Sequence, residues 1–235
     1  MLGLIGKKIG MTQVFGEDGS QIPVTVVLAG PCTVVQRKTK ENDGYDAIQV
    51  AFEKAKPARL TKAQRLHYEK KGLTPFVHLK EFHTSKAEAF EVGQTLTVSA
   101  FKTGDIVDVI GTTKGRGFQG VIKRHGKHGG PASHGSDFHR RTGSIGMRTS
   151  PGRVFKNTKL PGHMGVDRVT IKNLEVVSVR PEDDVLLVKG AVPGAKNGML
   201  VIVNRTKDFE NRPELKAEKT GEKETQQQPE QQKSA

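Results

Sequence analysis

Gly115, Gly117 and Gly120 stand in the spacing G-x-G-x-x-G, with Lys114 and Arg116 among them and the β-branched run Ile106 to Ile110 just before. After a strand, that spacing can hold a dinucleotide pyrophosphate against backbone N–H groups at a helix N-terminus. The same fold needs an acidic residue about 20 residues further on, at the end of a second parallel strand, to bind the ribose. Asp137 lies near that distance, but His134, Gly135, His139 and Arg140 around it form no strand pattern. The lysine and aspartate motifs of a kinase are missing as well. The glycines therefore read as points where backbone approaches phosphate closely, with Lys114, Arg116, Lys123 and Arg124 supplying charge. No cofactor and no small-molecule substrate is expected.

His125, His128, His134 and His139 raise the question of a transition metal, since imidazole is a common ligand. Only Asp137 stands near them as a carboxylate, and the spacing is loose with glycine, so no metal centre is expected. Hydrogen bonds to phosphate or ribose, or stacking on bases, suit these side chains better, and nearby phosphate would favour their charged form. Ser133-His134 and Ser136-Asp137 hold the ingredients of a nucleophilic triad, but on a stretch too rich in glycine to hold them rigidly. No catalytic residue is assigned and the chain is not read as an enzyme. The single cysteine, Cys32, reads as a small buried hydrophobe of a strand, excludes an intramolecular disulfide and fits a reducing compartment.

The cations are concentrated. The 235 residues carry 38 Lys/Arg against 25 Asp/Glu, a formal charge of +13. Residues 111–172 hold 13 Lys/Arg and 2 Asp/Glu, hence +11, which leaves +2 for everything else. Such a segment calls for a polyanion, either nucleic acid or an acidic membrane surface. It contains no amphipathic helix that could lie on lipid, and the longest apolar run, from Val24 to Gly30, is too short to span a bilayer. Lys7 and Lys8 interrupt what a signal peptide would need as an apolar stretch, so the cytosol is the expected compartment. Between Lys123 and Gly165 the only branched aliphatic residues are Ile145, Val154 and Leu160, too few to close a core. Folded back on itself, about 39 residues of it could reach at most about 60 Å from the core, at roughly 3.3 Å per residue for each arm. A strip that thin could thread between RNA helices, with Ile145, Met147, Val154 and Phe155 wedged against bases or riboses. A basic loop of a DNA-binding protein remains the competitor.

The flanking sequence must supply the scaffold. Val24, Val26 and Leu28 alternate with Thr25 and Val27, and Asn42-Asp43-Gly44 joins a strand through Val34 and Val35 to Tyr45–Val50 as a hairpin. Val169–Ile171, Val176–Val179, Val185–Val188 and Leu200–Val203 continue the pattern, punctuated by Pro193-Gly194 and Asn197-Gly198. One helix is predicted, opened by Thr61 and Gln64 as a capping box, with Ala63 and Leu66 on one face and Gly72 as its stop. Mainly β structure follows: a discontinuous barrel from residues 1–125 and 166–204 with a small helical insertion at about 58–90. A basic extension occupies residues 126–165 and a polar tail, expected to be disordered, residues 205–235.

At this point the residues resemble a known family, bacterial large-subunit ribosomal protein three. MLGLIGKKIGMTQVF is similar to its N-terminal strand, and Phe101, Asp108, Gly111, Thr113, Gly115, Arg116, Gly117, Gly120 and Arg124 fit its signature. GGPASHGS (Gly129 to Ser136), HRRTGSIG (His139 to Gly146), PGRVFK (Pro151 to Lys156) and GHMG (Gly162 to Gly165) resemble its long extension. The resemblance implies a translation-protein-type β-barrel, an extension entering the large-subunit rRNA near its 3′ end, and a role early in subunit assembly. Ribosomal proteins fourteen and nineteen are the neighbours it implies, with no membrane contact. On this view rRNA is bound by Lys7, Lys8, Lys114, Arg116, Lys123, Arg124, His125, Lys127, His128, His134, His139, Arg140, Arg141, Arg148, Arg153, Lys156, Lys159, His163 and Arg168. The tip near the peptidyl transferase centre is Ser144, Ile145, Gly146, Met147, Arg148, Thr149 and Ser150. Many bacterial members carry an N-methylated glutamine where this chain has Met147, which has no amide to modify. A free nucleic-acid-binding protein or RNA chaperone is the alternative.

Overall fold

The computed structural model describes residues 2–206 together with Phe209, Arg212 and Leu215. In chain order its elements are β1 (Gly3–Phe15), β2 (Gln21–Ala29), β3 (Cys32–Lys38), α1 (Lys40–Asp43), β4 (Ala47–Lys54), α2 (Lys62–Glu69) and β5 (Phe76–His83). There follow β6 (Thr95–Leu96), β7 (Ile106–Thr112), β8 (Gly117–Gln119), α3 (Val121–His125), β9 (Gly162–Met164), β10 (Arg168–Arg180), β11 (Val185–Lys189) and β12 (Met199–Asn204). Mainly β structure is thus what the alternating Val and Ile pattern produces.

Six strands close into a barrel in the order β1-β12-β7-β10-β11-β2, every neighbouring pair antiparallel. The ring is irregular, with register shifts at Lys8/Gly10 in β1 and at Ile171/Leu174 and Val176/Ser178 in β10. Such bulges bend a strand and increase its twist. The two sequence runs Val169–Ile171 and Val176–Val179 are consequently one strand, whose first residues pair with the end of β7 and lead out towards the basic segment. In β2 the buried face is Thr25, Val27 and Ala29, not Val26 and Leu28. Thr25 is tolerated inside because its hydroxyl donates to the Gly190 carbonyl at 2.6 Å.

The first surprise is a second sheet, ordered β5-β4-β3-β6. The anticipated hairpin is present, with Val34 opposite Val50 and Lys38 opposite Ala47, but it belongs to this sheet and not to the barrel. The stretch at 58–90 is helical only in part: α2 and short 3-10 turns flank β5, which pairs along β4. Successive residues of a strand face opposite ways, and here both ways are dry. Val34, Val50 and Phe52 join the barrel core with Ile5 and Ile202, whereas Val35 and Ala51 pack under Tyr68 and Phe76. The sheet is therefore a layer between barrel and helix.

Helix α2 starts at the capping box read from the sequence, Thr61 Oγ1 accepting from the Gln64 amide at 3.4 Å and Gln64 Oε1 accepting from the Thr61 amide at 3.2 Å. Its buried residue is Tyr68, with Ala63 and Leu66 exposed. Cys32 lies in the core as expected; burial pushes its thiol up to about 12, so it is protonated and inert at neutral pH.

Of the residues expected to form a polar tail, three past residue 206 are described. Phe209 and Leu215 are buried in the core, and Arg212 is bound to Asp105. The Gln226–Gln228 run lies outside the described residues.

Candidate nucleic-acid interface

The basic segment leaves the barrel at the end of β7 and re-enters at the start of β10, where Thr112 pairs with Arg168. Immediately beyond, the Thr113 amide donates to the Asp167 carbonyl at 2.9 Å and the Asp167 amide to Thr113 Oγ1 at 3.1 Å. The Arg116 amide reaches the Met164 carbonyl at 2.9 Å, and β8 pairs with β9 from Gly117↔Met164 to Gln119↔Gly162. Together these contacts make a two-stranded neck.

The tightest glycine of this neck is Gly165, outside the G-x-G-x-x-G run, with Gly115 facing it across the ribbon. Gly165, at φ +84, packs so tightly across the ribbon that a Cβ there would lie 2.2 Å from the Lys114 carbonyl oxygen and 3.0 Å from the Gly115 Cα. Close approach of backbone to backbone, rather than of backbone to ligand, is what the structure displays at this position.

Past Gly120 the chain forms α3, a five-residue helix that sequence reasoning missed. Glycines at 120 and 126 bracketing Val121–His125 were the available signal. Val121 is buried, while Arg124 Nη1 donates to the Leu160 carbonyl at 2.9 Å and His125 Nε2 lies 3.1 Å from the same oxygen. These two predicted RNA ligands thus also fasten the outgoing arm to the returning one. Arg124 keeps the rest of its guanidinium fork available for phosphate.

From Gly126 to Pro161 there is neither helix nor strand. The arms meet locally. The Gly130 amide donates to the His139 carbonyl at 2.7 Å, and Gly130 lies so close under the Phe138 ring that a Cβ would stand 2.7 Å from it. Further along, a Cβ on Gly146 would be 3.6 Å from the Arg153 carbonyl oxygen, so the chain reverses between these two residues, with a turn at residues 149–151. Ser144 Oγ donates to the Gly146 carbonyl at 3.1 Å.

Of the thirteen Lys/Arg in residues 111–172, all but Arg124 and Lys127 are exposed. Among the described residues none of the thirteen has a carboxylate partner. His128, His134, His139 and His163 are exposed too. No group of three metal-ligating side chains converges among the described residues. Apolar side chains that a folded protein would ordinarily bury stand among these cations: Phe118 is 75% exposed, Met147 74%, Phe155 51%, Ile145 46% and Val154 42%. Phe118 and the exposed Lys172 stand on the same basic surface but were not among the residues named from sequence, although an aromatic between glycines and a cation inside the +11 segment were both legible.

Lys7 and Lys8 differ from the rest. Lys7 pairs with Glu53 at 3.0 Å, on the barrel's side facing the second sheet. Lys8 donates to the Val192 carbonyl at 2.6 Å, and burial followed by repulsion from Lys114 holds its pKa below the ordinary lysine value. Lys8 therefore belongs near the root of the neck, where Thr113, Lys114, Arg116, Met164, Asp167 and Gly194 line a cleft of about 370 Å³.

The profile of the family described as ribosomal protein L3 matches residues 77–185, which include the neck and the whole extension. A large ribosomal subunit protein uL3 from Geobacter sulfurreducens is 52% identical over 205 residues, covering 87% of this chain and 98% of its own. The protein of the same name from Trichlorobacter lovleyi is 53% identical over 205 residues, covering 87% and 97%, and that from Desulfitobacterium hafniense 53% over 200 residues, covering 85% and 94%.

Proposed function

The chain belongs to the ribosomal protein L3 family, and from that premise we propose that it is a structural constituent of the large ribosomal subunit whose basic extension is an rRNA-binding arm. The carrying observation is the set of exposed Lys and Arg side chains without carboxylate partners, on an arm whose apolar residues have no protein core. Phosphates would complete the charge, since Arg forks and free backbone N–H groups can hold several at once. Folded RNA would cover Ile145, Met147, Val154 and Phe155, which a solvated DNA-binding loop would leave wet.

The finer reading follows the resemblance. The barrel sits on the subunit surface, in contact with neighbouring ribosomal proteins, and the extension runs inward near the 3′ end of the large-subunit rRNA. Its tip, Ser144–Ser150, points towards the peptidyl transferase centre, and binding occurs early in assembly. Chemistry there belongs to the RNA, and the chain's part is to neutralise and shape it. The bacterial cytoplasm, where the large subunit resides, is the place of action.

Removing residues 127–159 tests this, because it spares the β8–β9 ladder and the Leu160 carbonyl that Arg124 and His125 hold. Cells relying on that variant are expected to accumulate incomplete large-subunit particles on sucrose gradients. Normal particles containing the shortened chain would overturn the reading. Finding most of the intact chain apart from ribosomal particles would instead favour a free RNA-binding protein.

A further inference from the structure

We infer a second site for RNA backbone, formed by Lys56, Arg59, Lys62 and Lys70 on the turn and helix that cover the outer face of the four-stranded sheet. It shares no residue with the extension. Residues 54–71 carry seven Lys/Arg and one acidic residue, Glu69, a local charge of +6 that the near neutrality of the body conceals.

The fold turns this run into one surface. Pro57–Arg59 make a 3-10 turn that leads into α2, and Arg65 Nη2 donates to the Pro57 carbonyl at 3.3 Å, tying turn to helix. Tyr68 is the buried residue of the helix. Helical periodicity then places Lys62, Leu66 and Lys70 in a single stripe on the opposite side, about 12 Å long at 1.5 Å rise per residue. All four proposed cations are exposed, and Leu66 between two of them is 41% exposed.

A solvated helix face is the ordinary explanation for surface lysines, and several lysines of the body are held by nearby acids. Lys7 has Glu53 at 3.0 Å, Lys38 has Glu81 at 2.8 Å, Lys40 has Asp46 at 3.6 Å and Lys189 has Glu175 at 3.0 Å. Among the described residues, Lys56, Arg59, Lys62 and Lys70 have no carboxylate within 4.0 Å. What sets this surface apart is density: seven cations against one acid within eighteen residues, four of them exposed and unmatched on one turn and helix, a concentration that fits an anion from outside. RNA backbone fits better than an acidic protein. A protein interface draws on a buried aromatic and apolar centre, whereas this patch offers one leucine, enough to touch a ribose between two phosphate contacts. The site would read backbone and not base sequence.

The test uses the full-length protein and purified large-subunit rRNA, with affinity measured against salt concentration. One variant carries Lys56→Gln, Arg59→Gln, Lys62→Gln and Lys70→Gln; a second carries Arg140→Gln, Arg141→Gln and Arg148→Gln in the extension; a third combines them. Each lost phosphate contact flattens the log–log salt slope by roughly 0.7 to 0.9, so the first variant should flatten it by on the order of three. The combined variant should show the sum, with circular dichroism and melting unchanged. A slope unaltered by the four substitutions overturns the second site, and lost binding to poly-glutamate at that unaltered slope would assign the patch to an acidic protein. A slope unaltered by the extension set alone would count against the arm as an RNA ligand and leave this inference standing.

Discussion

Arg212→Ala is expected to destabilise the chain by roughly 3 to 5 kcal/mol, the cost of leaving one member of a buried ion pair unpaired. For a chain of this size that corresponds to a fall in melting temperature of roughly 6 to 20 °C. The guanidinium holds both Asp105 oxygens, at 2.6 and 2.7 Å, and donates to the Ala100 carbonyl at 2.7 Å. Both side chains are close to fully buried, at 11% and 7% exposure. Burial by itself pushes the Asp105 carboxyl up; the Arg212 fork, the Lys102 amide and the Asn204 side chain outweigh it and hold the carboxyl below its ordinary value.

The sign of the pH dependence follows. A depressed folded-state value means that the pair contributes stability fully above the unfolded carboxylate value of about 3.9 and loses it as pH falls through the lower folded value. In Arg212→Ala burial is opposed only by the Lys102 amide and Asn204, so the stabilising effect of the fork is lost; the variant is expected to suffer most at neutral pH, with the gap to the parent narrowing towards pH 4. Thermal melts at pH 7 and pH 4 check both points. Arg212→Lys, which keeps the charge but not the fork, should fall between. Equal melting temperatures at pH 7 would show that the Arg212–Asp105 pair contributes nothing to the fold.

Gly165→Ala is expected to disable the extension while sparing the barrel. The left-handed φ of +84 alone costs a side-chain-bearing residue on the order of 1 to 3 kcal/mol. The new methyl would also lie 2.2 Å from the Lys114 carbonyl oxygen, a backbone atom that cannot swing aside as a side-chain end would. Relief requires the two strands of the neck to part, which breaks the Arg116–Met164 hydrogen bond and redirects the arm. Hydrogen exchange should therefore show lost protection at the Arg116 amide with core strands unchanged, and rRNA binding should weaken as it does when the arm is neutralised. Gly120→Ala is the control: its φ is −67 and no atom lies within 4 Å of the added carbon. Retained protection at Arg116 in Gly165→Ala, or equal damage from both substitutions, would sink this account of the neck.

Much of the site was legible before any coordinates because it rests on composition. Thirteen cations against two acids in residues 111–172, with hardly any branched aliphatic residues beyond Lys123, already describe an arm that cannot fold on itself and calls for a polyanion. The capping box at Thr61 was equally plain, since a cap involves groups three residues apart. The second basic surface escaped because the cations of residues 54–71 are offset in the overall count by acids elsewhere in the chain, and only the placement of α2 shows four of them exposed with no acid in reach among the described residues.

What the sequence determined by itself was local: strand-forming alternation, helix start, the place of the charge, and a family signature. The assignment of strands to two sheets was decided by tertiary structure. Val34 and Val35 are equally apolar, and only the layers on either side settle that one meets the barrel and the other Tyr68. The same holds for contacts across long separations. Asp105 meets Arg212 at a distance of 107 residues in sequence, Thr113 meets Asp167 across 54, and Gly165 must be glycine because of a carbonyl at Lys114. Propensity and periodicity describe a residue and its near neighbours; these partnerships exist only once barrel closure has brought distant backbone together, so no local pattern could announce them.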